Sequence, residues 1–74
     1  MKFSLTQQEE ELLQNKGILF DKSKEYTEDE ALDLLELVRE VEILYAQFTG
    51  GAEETLYFQY GRLADKLYTQ IPED

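Results

Sequence analysis

Residues 27–51 read TEDEALDLLELVREVEILYAQFTGG, and this stretch decides the fold. Ala31, Leu34, Val38, Val41, Tyr45 and Phe48 recur at spacings of three, four, three, four and three, the period of one apolar helical face. Leu37 and Leu44 widen that face. Thr27, with Glu30 three residues on, forms a capping box. The Thr27 hydroxyl accepts from the Glu30 amide, and the Glu30 carboxylate accepts from the Thr27 amide. Glu28, Asp29 and Glu30 also lie where the helix dipole favours negative charge. The pattern predicts a helix over about 27–49. Gly50-Gly51 then breaks it with a tight reversal, so the next helix returns antiparallel.

The returning helix is expected over about 52–71, stopping before Pro72. Leu56, Tyr57, Tyr60, Leu63, Ala64, Leu67, Tyr68 and Ile71 share its broad apolar face. Gly61, at the edge of that face, is explained by a close helix crossing or is simply a tolerated glycine. Upstream, Thr6 and Glu9 form a second capping box, and Gly17 supplies a left-handed stop. This predicts a short helix over about 6–16, too short to stand alone. Ile18 falls where a Schellman motif sets an apolar residue against one near Leu13. Ile18, Leu19 and Phe20 form an apolar plug that anchors the linker. The expected architecture is therefore all-α. It is one domain over 1–74, a small three-helix bundle in which a long antiparallel hairpin carries the short N-terminal helix packed on it.

Composition narrows the function. The chain has 74 residues, 17 acids against 7 bases, a net charge of −10, and neither cysteine nor histidine. Such a surface repels DNA, RNA and anionic membranes, so direct nucleic-acid binding is rejected first. An apolar content of 42% with strong periodicity argues against disorder. No apolar run approaches the roughly 18–20 residues of a membrane span. The N-terminal Met1–Leu5 turns polar at Thr6, too soon for a secretory signal. Cysteine-free composition suits a reducing compartment, and a soluble, cytoplasmic, bacterial protein is expected. The general look resembles the small acidic helical proteins of bacteria, phages and mobile elements. That likeness is compositional and carries no residue-level function.

Catalytic and metal chemistry find little to work with. Without histidine the commonest general base and metal ligand are both missing. No Ser–His or Cys–His nucleophile and no glycine-rich phosphate loop can be assembled. Paired carboxylates need a pocket that separates their pKa values, and three short helices leave little room for one. Asp21, Ser23, Glu25 and Asp29 fall at positions 1, 3, 5 and 9 of a calcium loop. However, Tyr26 stands where glycine is required and Leu32 where a bidentate glutamate is required. The reading is non-enzymatic, with no metal and no cofactor.

What remains is surface. Asp29, Asp33, Glu36 and Glu40 follow at spacings of four, three and four, within roughly a 60° wedge of the second helix. Asp29 is partly accounted for by the helix start, which leaves Asp33, Glu36 and Glu40. A solvated outer face is the plain reading, but such faces often mix both signs, and only Arg39 interrupts here. A weaker apolar row, Leu32, Leu35, Ile43 and Ala46, lies on another side of the helix, and two apolar sides imply two neighbours, either the other two helices or a second copy of the chain. Phe58 falls opposite the core face of the third helix, beside Arg62. The candidate partner-binding residues are therefore Asp33, Glu36, Glu40, Leu32, Ile43 and Phe58. They describe a protein–protein interaction module whose partner is a protein carrying basic groups. A homodimer built on the weaker row is one form of it. The alternative is an acidic inhibitor or immunity-type protein, a nucleic-acid mimic that blocks a basic site on its target.

Overall fold

Both capping boxes form, and they set where the first two helices begin. The computed structural model describes residues 1–48 and 50–72. In it α1 spans Gln7–Asn15, α2 spans Glu28–Ala46 and α3 spans Gly51–Gln70, with α2 and α3 packed together as a hairpin. In each box the threonine hydroxyl accepts from the glutamate amide at 3.2 Å. The Gly17 stop is a complete Schellman motif. The Ile18 amide donates to the Leu13 carbonyl at 3.0 Å and the Gly17 amide to that of Gln14 at 3.0 Å, with Gly17 at φ +70°.

α2 ends three residues before the expected boundary, and the expected last residue, Thr49, lies outside the described residues. The Phe48 amide turns back to the Tyr45 carbonyl at 3.1 Å, and the chain reverses through Gly50 and Gly51 at φ +78° and +72°. Such angles strain any residue with a Cβ. At the far end, Ile71 leaves α3 extended, as a residue before proline prefers.

α1 runs antiparallel to α3 along its C-terminal half. Gln70 makes a two-way bridge to the Ser4 backbone, at 2.7 and 3.1 Å. The Lys66 ammonium meets the Glu9 carboxylate at 2.7 Å. Tyr60, fully buried, donates its hydroxyl to the Leu12 carbonyl at 2.6 Å. That carbonyl belongs to the last turn of α1, where the Lys16 amide has shifted to Leu13. Tyr60 thus satisfies an acceptor that the helix end leaves open. Its ring also stacks on Tyr45 of α2, with centroids 5.9 Å apart.

The core joins Leu12 and Leu13 of α1, Ala31, Leu34, Leu35 and Val38 of α2, and Tyr60, Leu63, Ala64 and Leu67 of α3. Each fully buried leucine or valine contributes about 1.5–3 kcal/mol by leaving water. Phe3 and Tyr26 close one end. Their rings meet edge to face at 5.4 Å, and Phe20 stacks on Tyr26 at 5.9 Å.

Several expected core positions are not in it. Leu19 of the linker plug is 92% exposed, while Ile18 and Phe20 alone pack inward. Tyr68 is exposed at the rim of α3. The α2 seam is fully buried only as far as Val38. Val41 and Tyr45 are half-buried, and Phe48, Leu37 and Leu44 are exposed. Two causes combine: α1 ends level with Tyr60 and Tyr45, short of Phe48, and Leu37 and Leu44 point about 100–120° away from the Val38 direction. The radius of gyration, 12.3 Å, accordingly exceeds the about 11 Å of a compact domain this long. Gly61 does not mark a close backbone crossing. The atom a Cβ would meet there is the Glu42 carboxylate oxygen at 2.8 Å.

Two outcomes are expected. Tyr60→Phe strands the buried Leu12 carbonyl and should cost about 1–3 kcal/mol, lowering Tm by about 4–8 °C per kcal/mol in calorimetry. The second concerns acid. The Lys24 ammonium, at 2.6 Å, and then the Thr27 amide hold the Glu30 carboxyl down at about 2 from an ordinary 4.5. A depressed carboxyl favours the fold above its unfolded value, and that contribution disappears as pH falls from 4.5 towards about 2. The urea midpoint of Glu30→Gln should therefore fall less than that of the wild type over this window.

Candidate functional site

The outer side of α2 is a layered surface built by helical geometry. At about 100° per residue, the core-facing direction runs through Ala31 and Val38, and Asp33, Glu36 and Glu40 point the opposite way. All three are exposed, as is Asp29. The ion pairs among the described residues engage Glu9, Glu25, Glu30, Glu42 and Asp65, and none engages the four acids of the stripe. Arg39, the base nearest in sequence, turns to the other side. It reaches Glu42 at 3.2 Å and Asp65 of α3 at 3.5 Å.

Apolar side chains flank the stripe on both edges. On the Arg39 edge lie Leu32 and Ile43, 44% and 70% exposed. Leu35, assigned by sequence to the same row, is instead buried in the core. The row is thereby reduced to separated residues with the Arg39–Glu42–Asp65 ion pairs between them. Phe58 is also exposed. It stands across an open groove from Glu42, on this same side, with its ring edge-on to Tyr57 at 5.4 Å. The structure therefore groups Leu32, Ile43 and Phe58 on one flank, apart from the direction of the acids.

The other edge was missed. Leu37, Leu44 and Phe48 are 45%, 50% and 46% exposed, with half-buried Val41 between them. Sequence periodicity assigns these residues to the core, and only the packing of the three helices shows that nothing covers them. The far border of this row is Tyr45, with the Lys16 ammonium 4.7 Å above its ring.

Elsewhere the acids have local work. Asp21 accepts from both the amide and the hydroxyl of Ser23, which close the linker turn and hold its carboxyl below the usual range. For Glu9, burial pushes the carboxyl up. The Lys66 ammonium and the Thr6 amide and hydroxyl outweigh that and hold it low. Among the described residues no three acids converge as a metal site, and no helix is long and apolar enough to cross a membrane. Comparison with family models, curated proteins and solved structures returns no match to this chain.

An uncompensated stripe has a stability signature. Glu36 faces like charges at Asp33 and Glu40, two repulsive pairs at roughly 0.2–0.5 kcal/mol each. Glu36→Gln, nearly equal in helix propensity, should therefore raise stability in low salt, and the gain should fade as salt screens it. Denaturation at two ionic strengths reads this directly, and a loss of stability would contradict it.

Proposed function

We propose that the chain is a non-catalytic interaction module that binds another protein through the outer face of α2. One observation carries this reading. Asp33, Glu36 and Glu40 stay unpaired and exposed while apolar side chains line both of their edges. A purely solvated face gains nothing from such borders. Each apolar row offers a partner area to bury, and the acids beside it form a charged margin to that row. The charge favours a partner with basic groups, by steering its approach and excluding acidic surfaces.

The acidic-inhibitor reading shares the unpaired stripe. In it the acids occupy a basic site on a target protein, and the flanking leucines are incidental. A homodimer on the Leu32–Ile43 edge is the less favoured form of the module, because the Arg39 ion pairs interrupt that seam.

Affinity capture from a cell lysate at low and high salt, with wild type beside Asp33→Lys/Glu36→Lys, tests the reading. Salt-sensitive partners should be retained by the wild type and lost by the variant. Identical capture by both would reduce the stripe to a wet surface. Retention that depends on the acids but is indifferent to Leu37→Ser/Leu44→Ser would favour the inhibitor.

A further inference from the structure

We infer that the occupant of this face is a single amphipathic helix with a basic edge, lying along Leu37, Val41, Leu44 and Phe48. The inference rests on the interaction-module reading and specifies its partner. The four residues follow at spacings of four, three and four, the seam spacing of two helices packed side by side. Leu37, Leu44 and Phe48 are each about half exposed. The row therefore forms a shallow shelf rather than a pocket, and a helix ridge fits a shelf of this shape.

The borders define the partner's charge. Beside the seam, Asp33 and Glu40 occupy the positions one before each seam residue of the Leu34–Val41 register, where coiled coils place their pairing charges. Both are exposed and outside every ion pair among the described residues. A helix laid on the shelf thus meets carboxylates along this edge, and lysine or arginine there complements them. The opposite edge presents Tyr45 with Lys16 above it. A second copy of this chain fits less well. It brings another net charge of −10 and, with its helix antiparallel, sets this acidic edge against its own counterpart.

The test uses the full chain and a labelled synthetic peptide of about three heptads, with Leu at a and d and Lys at e and g. Its control carries Glu at e and g. Anisotropy gives affinity, and amide chemical-shift mapping gives location. The Lys peptide should bind saturably, shift residues around Leu37, Leu44 and Glu40, and lose about tenfold or more in affinity with Leu44→Ser/Phe48→Ser. A comparable loss is expected with Asp33→Asn/Glu40→Gln, which leaves the apolar row intact. Binding indifferent to the serine pair would be mere adsorption to an acidic surface and would overturn the inference. Equal binding of the Glu peptide would overturn it too, as would sedimentation showing a dimer that buries this row. If the peptide fails while lysate capture still responds to Asp33→Lys/Glu36→Lys, the module reading stands and the helical occupant falls.

Discussion

The hydroxyl of Tyr60 fixes the arrangement of all three helices. It is a donor with no water to turn to, and the Leu12 carbonyl is an acceptor left open by the end of α1. Each satisfies the other, and either alone would be a buried group without a partner. The same ring stacks on Tyr45, so one side chain of α3 ties the end of α1 to the inward face of α2. Lys66 with Glu9 and Gln70 with Ser4 continue this docking towards the N-terminus. None of them carries α1 beyond Tyr60.

That reach, together with the direction of each α2 side chain, decides what the outside looks like. A helix of nine residues is less than half as long as either arm of the hairpin, which have 19 and 20. Beyond Tyr45, α2 has one neighbour instead of two, and before it Leu37 and Leu44 point about 100–120° away from the core direction. Apolar residues placed for a second neighbour then remain at the surface beside the acids. The bases are drawn elsewhere, with Lys24 to Glu30, Arg39 to Glu42 and Asp65, and Lys66 to Glu9. The outer face of α2 is thus negative because the helix carries a single base, Arg39, and that base turns to Glu42 and Asp65.

Local chemistry was legible in the sequence. Thr6 with Glu9, Thr27 with Glu30, the Gly17 stop and the Gly50-Gly51 reversal all depend on residues a few positions apart, and each forms as its spacing implies. The direction of the acid stripe was legible for the same reason. Periodicity, however, reports which residues share a side and not whether a neighbour reaches them. Leu37, Leu44 and Phe48 read as core because their period is that of Leu34 and Val38, and Leu35 read as part of a second row whose neighbour, another helix or a second copy, its spacing does not name. Phe3 and Tyr26 lie in irregular segments, where no period marks a core residue. Leu19 sits between two anchored neighbours, and nothing in its spacing tells it apart from them.

The Leu37–Phe48 row stands open in solution while the seam as far as Val38 is closed. Attenuation of side-chain NMR signals by a soluble paramagnetic agent measures this directly. The Leu37 and Leu44 methyls and the Phe48 ring should lose clear intensity, between that of the exposed Leu19 and that of the buried Leu13, Leu63 and Leu67, which are spared. Leu37 and Leu44 protected as fully as Leu63 would contradict the account, because α1 or a second copy would then already cover the face assigned to a partner.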